Sequence, residues 1–307
     1  MLDSQKILIT GATGKIAFPI ARRLAQGNEV WGAARLRDPA DHARLAAAGV
    51  RPVALDMAEG EFTALPEDFD YVFHAAADVF PVDIETGLKQ NAEGTGLLLH
   101  HLNRAKAWIY VSTSGVYWDH PDPWYAYRET DRCGGSVRIN TRFAYGTSKF
   151  AGEAVARSLS RIHAVPLTIA RMNWSYGRAG FGGMPVRIIT RVAEGEPVPV
   201  NPDWEFVGCP IHEDDMAEHL GAFFDGAAVG GTVTNWGGDD AVSVEQIVPW
   251  VAEQLGTSYS FTDMDQIIAY PRNLDPARRT SLTGPCTVTW RDGFRRIIEE
   301  RFPGRLR

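Results

Sequence analysis

The segment Phe-Ala-Tyr145-Gly-Thr-Ser-Lys149-Phe-Ala-Gly-Glu153 places a tyrosine and a lysine at i and i+4. On a helix that spacing sets both side chains on one face, with their Cβ atoms roughly 5–6 Å apart. A phenol alone is a poor acid–base catalyst at neutral pH, because its unperturbed pKa is about 10. An ammonium group held beside it stabilises the phenolate and draws that pKa toward the working range, so the chemistry on offer is proton transfer at an oxygen. Tyrosine and lysine at this spacing also occur on ordinary surface helices. The pair gains meaning only from what the rest of the chain sets around it.

The first such element is Lys6 to Thr10, a short apolar run of the kind that forms a buried parallel strand. It stops at Gly11-Ala-Thr13-Gly14-Lys15-Ile16-Ala17, and an amphipathic helix follows through Ala25. Strand, glycine loop and helix in that order form the context of a dinucleotide site. Gly11 permits the tight turn, Gly14 lets the backbone approach a pyrophosphate, and Ala17, in the place of a third glycine, is small enough for close packing. The free amides of the helix N-terminus then receive the anion. A second strand, Glu29 to Ala33, ends in Ala34-Arg35-Leu36-Arg37. NAD sites place a carboxylate at such a strand end, and NADP sites a cation. With alanine at 34 and arginine at 35, NADP is the expected cofactor and NAD the alternative. Arg37 and Lys15 would help, unless both arginines are solvated loop charges.

The third strand, Pro52 to Leu55, runs into Asp56-Met57, where an adenine amino group could be bound. The fourth, Tyr71 to Ala76, leads into Ala75-Ala76-Ala77, whose small side chains let a cofactor lie against the backbone. His74 reads as a packed structural histidine. A long helix carrying Asn91 continues to Arg104, and a fifth strand, Trp108 to Val111, delivers Ser112-Thr113-Ser114-Gly115-Val116-Tyr117. Strands alternating with helices imply an α/β fold with a doubly wound parallel Rossmann sheet, whose ligands lie at the strands' carboxyl ends. Residues 1–172 form the dinucleotide-binding part, with segments near 208–240 returning to it. Residues 173–207 and 241–307 build a smaller, interleaved substrate lobe. Met172-Asn173-Trp174 is expected at the nicotinamide end. The loop from Trp118 to Arg142, rich in aromatic, proline and charged residues, either closes over substrate or packs onto the fold.

Composition narrows the partners. A hydrophobic content of 45% and a charged content of 22% are those of a soluble globular protein, and a net charge of −7 disfavours nucleic acid and anionic membrane. Cys133, Cys209 and Cys286 are scattered without CxxC spacing, and the histidines show no ligand spacing, so neither a disulfide framework nor a metal site is expected. The start, Met1-Leu-Asp-Ser-Gln-Lys6, has no signal-like apolar run and no later run approaches spanning length. A cytoplasmic location is expected.

Taken in order, Thr10-Gly11-Ala-Thr-Gly14-Lys-Ile-Ala17, His74-Ala-Ala, Asn91-Ala-Glu-Gly-Thr95, Ser112-Thr113-x-x-Val116-Tyr117 and Tyr145-x-x-x-Lys149 resemble the extended short-chain dehydrogenase/reductase family. Arg171-x-x-x-x-Tyr176-Gly177 and Ile211-His212-Glu-Asp-Asp215-Met-Ala217 look like its later landmarks, so the likeness covers nearly the whole chain. The resemblance implies that Tyr145 is the acid–base residue, that Lys149 lowers its pKa and holds the nicotinamide ribose, and that Thr113 hydrogen-bonds the reacting oxygen. Around the cofactor it sets Gly11, Thr13, Gly14, Lys15, Ile16, Arg35, Asp56, Met57, Ala75, Ala76, Ala77, Asn91, Ser112, Met172 and Asn173, together with Tyr145 and Lys149. Thr113, Trp118 and Trp174 would meet the substrate. A homodimer through the helices holding Asn91 and Tyr145 is also implied.

Departures from the family's nucleotide-sugar members shape the functional expectation. Those members carry an arginine shortly before the segment matching Ile211-His212, whereas this chain reads Glu205-Phe-Val-Gly-Cys-Pro210. Dehydratase members place an acidic pair where Ser114-Gly115 stand. The expectation is therefore an NADP-preferring oxidoreductase acting on the carbonyl or alcohol of a small non-nucleotide substrate. The alternatives are a nucleotide-sugar epimerase or 4-keto reductase and, from another class, a non-catalytic dinucleotide-sensing regulator.

Overall fold

The computed structural model describes residues 2–134, 143–178, 183–264 and 270–307. Its centre is a seven-stranded parallel sheet in which β1 (Lys6–Thr10) pairs with β2 (Glu29–Ala34) on one side and β4 (Tyr71–His74) on the other. Beyond β2 lies β3 (Arg51–Ala54); beyond β4 come β5 (Ala107–Thr113), then the strands Leu167–Met172 and Thr232–Trp236. The doubly wound Rossmann arrangement expected from the sequence is present. Strand order reverses between β1 and β4, and such a switch point opens a crevice at the carboxyl ends.

The strands are apolar on both faces because both are covered. Ile7 and Ile9 of β1 join Phe18 and Ile20 of α1 (Ala17–Leu24) and Leu220 and Phe223 of the helix Glu213–Asp225 in one core. Leu8, pointing the other way, packs with Leu98, Leu99, Trp108 and Ala156 in a second. A third core, with Ile189, Val192, Ile247, Val251, Phe294 and Ile298, holds together the helices Met184–Glu194, Val244–Leu255 and Trp290–Arg301 of the lobe.

Two local features differ from expectation. β5 runs on through Thr113, so Ser112 and Thr113 are themselves strand residues. The single long helix is instead Ile84–Leu88, a π-turn at Lys89–Glu93 and a helix Gly94–His101. There the Asn91 carbonyl accepts from the hydroxyls of Thr95 at 2.8 Å and Tyr110 at 3.4 Å. A Cβ on Gly94 would stand 2.6 Å from the Met57 carbonyl, a close approach that only glycine allows. Of the two outcomes expected for the loop after Trp118, its described part shows the second and packs onto the fold. Ala126–Tyr127 pairs with Asn273–Leu274, the Asn273 amide donates to the Trp124 carbonyl at 2.8 Å, and the Trp124 indole donates to Glu205. Among the described residues no helix is long and apolar enough to cross a membrane.

Candidate active site

A cleft of about 830 Å³ runs along the strand ends beneath the lobe. Past β1 and β2 it is lined by Gly11, Thr13, Gly14, Lys15, Ile16 and Arg35; past β3 and β4 by Asp56, Met57, Ala75, Ala76 and Ala77; past β5 by Ser112 and Thr113, with Tyr145 beside them. Met172, Asn173 and Trp174 continue it toward Met184, Arg187, Phe206, Tyr270 and Arg272. Gly11 has φ +67, and a Cβ there would fall 2.9 Å from the Ala76 backbone, so glycine is required where the two loops of the switch point meet.

The helix Phe143–His163 carries Tyr145 and Lys149. Lys149 is 1% exposed, and among the described residues its Nζ has no hydrogen-bond partner. The ammonium sits 4.0 Å from the centre of the Tyr110 ring. Burial pulls its pKa down to about 7, opposed by the nearby Glu153 charge. A buried donor without an acceptor calls for a ligand that supplies one, and the ribose hydroxyls of a nicotinamide dinucleotide are such acceptors. The glycine cradle at Gly11 fits the same group.

Asn91, expected at the cofactor, is fully buried and does not line the cleft. Its amide donates to the Asp78 carbonyl at 2.9 Å and to Ser148 Oγ at 3.0 Å, and its carbonyl oxygen accepts from the Asp78 N–H at 2.7 Å. Ser148 Oγ donates in turn to the Tyr145 carbonyl at 3.0 Å. Asn91 thus ties the helix Phe143–His163 to the loop after β4. Ser112 lines the cleft, but its hydroxyl donates to Glu153 Oε1 at 2.6 Å. Thr113 Oγ1 accepts from Gly115 N–H at 3.1 Å. Trp118 is not brought to the cleft: it is 41% exposed and stacks with Arg132, whose guanidinium lies 4.6 Å from its ring. Trp174 does line it, edge-on to Phe206.

His74 is buried between two threonines. Thr10 Oγ1 accepts from the Ala76 N–H at 3.1 Å and lies 2.6 Å from Nδ1; Thr95 Oγ1 donates to the Asn91 carbonyl and lies 2.9 Å from Nε2. That network assigns the proton to Nε2, and burial first, the Lys149 charge second, pull the pKa down to about 3. His74 is therefore neutral and structural. Past β2 and β3 Arg37 stands 3.9 Å from Asp56, while Arg35 is exposed and has no ion-pair partner among the described residues.

Sequence reasoning quoted Arg171 as a family landmark and Glu153 at the end of the Tyr145 segment without giving either a role, and it did not mention Arg272. Glu153 takes two hydrogen bonds from the Arg171 guanidinium, at 3.0 and 2.8 Å, with both side chains nearly inaccessible. Its position one turn beyond Lys149 was the signal. Arg272 donates through Nε to the Ser114 carbonyl at 3.1 Å, and through Nη2 to the Tyr117 carbonyl at 2.9 Å and Asp119 at 2.7 Å. It fixes the turn that follows Thr113 from a distance no spacing rule covers.

Residues 7–229 match the model of the NAD dependent epimerase/dehydratase family. The chain belongs to that family. A curated relative, the trifunctional UDP-glucose 4,6-dehydratase/UDP-4-keto-6-deoxy-D-glucose 3,5-epimerase/UDP-4-keto-L-rhamnose-reductase of Arabidopsis thaliana, is 25% identical over 96% of the chain. The match spans 47% of that relative, about half its length. Among solved structures, UDP-glucuronic acid 4-epimerase from Bacillus cereus, crystallised with UDP-glucuronic acid and NAD, superposes with a TM-score of 0.81 at 22% identity, covering 96% of this chain and 98% of that one. UDP-N-acetylglucosamine 4-epimerase from Methanobrevibacter ruminantium gives 0.80 at 16%, covering 97% and 98%. At these identities the likeness is one of fold. Among the described residues of this epimerase/dehydratase family member, no group of three or more His, Cys, Asp or Glu is arranged to hold a metal.

Proposed function

We propose that the protein is a nicotinamide-dinucleotide oxidoreductase that interconverts a carbonyl and an alcohol on a small non-nucleotide substrate, with NADP preferred over NAD. The observation that carries this reading is the buried Lys149 ammonium, without a hydrogen-bond partner among the described residues, on the same helix face as Tyr145, which lines the cleft together with Thr113. A bound nicotinamide dinucleotide would supply or accept the hydride. The chain does the rest: Tyr145 gives the proton to the developing alkoxide or takes it from the alcohol, Thr113 donates a hydrogen bond to the same oxygen, and Lys149 favours the phenolate form of Tyr145. Arg35, beside Ala34 in the cleft and without an ion-pair partner among the described residues, supports NADP. Tyr145→Phe should leave cofactor binding intact and abolish NADPH-dependent carbonyl reduction; reduction at the wild-type rate would remove Tyr145 from the mechanism.

A second reading, a nucleotide-sugar epimerase or 4-keto reductase, is favoured by the relatives named above. Against it, the approach to Ile211 presents Phe206 to the cleft, and the Glu205 carboxylate is occupied by Trp124 and Ser243. NAD that co-purifies tightly, with strong thermal stabilisation by UDP-glucose, would favour this reading.

A further inference from the structure

The cleft is longer than the dinucleotide track from Gly11 to Thr113, and its far end has a distinct chemistry. Trp174, Met184, Phe206 and Tyr270 form an apolar and aromatic wall there. From Met172 onward, no described residue lining the cleft is acidic, although the chain carries 38 acidic against 31 basic side chains. Two guanidinium groups reach this wall. Arg272 is fully engaged: besides the bonds to Ser114, Tyr117 and Asp119, its Nη1 donates to the Pro271 carbonyl at 2.9 Å and lies 3.4 Å from the Tyr127 hydroxyl, and Asp119 balances its charge. Arg187 is the opposite case. It is exposed, lines the cleft one turn after Met184, and pairs with no carboxylate among the described residues. Its helix is anchored by Val186, Ile188, Ile189 and Val192 in the lobe core, so the guanidinium stands on a fixed base.

We infer that the substrate is an apolar or aromatic keto or hydroxy acid whose single carboxylate binds Arg187. This deepens the oxidoreductase reading and rests on it. One guanidinium fork matches one carboxylate through two parallel charge-assisted hydrogen bonds. The acid's body then lies on Trp174, Phe206 and Tyr270, and its carbonyl or carbinol is directed toward Thr113 and Tyr145. A nucleoside diphosphate fits this end less well, because it brings two charges to the one cation available among the described lining residues and sets polar base edges against an apolar wall, where unpaired polar groups are disfavoured.

The test is calorimetric binding to the NADP⁺-loaded protein, with 4-acetylbenzoate, 3-benzoylpropionate and 4-benzoylbutyrate each compared with its methyl ester. At least one acid should bind about tenfold or more tightly than its ester. Arg187→Gln should close that gap without changing ester binding, and Arg187→Lys should retain part of it. The inference is overturned if every acid binds within twofold of its ester, if the gap persists in Arg187→Gln, or if UDP-glucose binds more tightly than all the acids. NADPH oxidation with the same panel separates the two readings. Neutral ketones reduced without any preference for the acids would sink the Arg187 site and leave the oxidoreductase. Acids that bind through Arg187 but are never reduced would do the reverse.

Discussion

Lys149 is the residue on which the site's electrostatics turn. Its ammonium is buried over Tyr110 with no hydrogen-bond acceptor among the described residues, and its pKa falls from the usual 10.5 to about 7. Because the folded value is the lower one, between pH 7 and 10.5 the unfolded chain holds a proton that the folded chain has released, and wild-type stability rises with pH across that window. Below pH 7 the buried charge is fully present and destabilising. Lys149→Met should therefore melt higher than wild type at pH 6 in the cofactor-free protein, and the advantage should shrink toward zero by pH 10. Thermal melts at pH 6, 8 and 10 check this; an advantage that does not change with pH would place the charge elsewhere. At the other end of the cleft, Arg35→Ala should weaken NADPH binding by roughly 1.5–3 kcal/mol, the worth of a hydrogen bond to a charged group, and leave NADH nearly unchanged. Fluorescence titration of both cofactors decides it, and an equal loss of both would make Arg35 a mere loop charge.

At the scale of elements, the helix Phe143–His163 stacks Tyr145, Lys149 and Glu153 at successive turns, and Glu153 ties it to Ser112 of β5 and Arg171 of the neighbouring strand. Removing one partner of a buried pair leaves an uncompensated charge. Arg171→Met should cost about 3–5 kcal/mol in urea unfolding, and Arg171→Met combined with Glu153→Leu should recover much of it; a double variant no more stable than the single would deny the pairing its role. The strands of this framework were legible because parallel strands covered on both faces are continuous apolar runs, and β1 and its glycine loop announce the cleft by themselves. The π-turn was not legible, since it depends on Tyr110 and on the approach of Gly94 to Met57, both set by packing between distant segments. Asn91 was placed in the right region but on the wrong partner: its buried amide holds Asp78 and Ser148. Trp118 was expected to meet the substrate, yet it is 41% exposed and outside the cleft lining, in a loop whose later part pairs with Asn273–Leu274.

For the whole molecule, the question is what covers the outer surface of the helices Gly94–His101 and Phe143–His163. They pack so closely that a Cβ on Gly96 would meet Val155 at 2.6 Å. Of the leucines on the first helix and just beyond it, Leu98, Leu99 and Leu102 face the sheet, while Leu97 is 50% exposed. On the second helix Phe150 is 36% exposed and Ala154 lies on the outer side one turn later. Both helices contribute to the apolar remainder, and a two-fold axis through it would make one patch serve both subunits. We expect a homodimer joined as a four-helix bundle on this face. Sedimentation at micromolar concentration should give the dimer mass, the melting temperature should rise with protein concentration, and Leu97→Glu combined with Phe150→Glu should give a monomer that still binds cofactor, because Tyr145 and the glycine loop lie on the cleft side. Wild type sedimenting as a monomer would leave these helices as an ordinary solvent face.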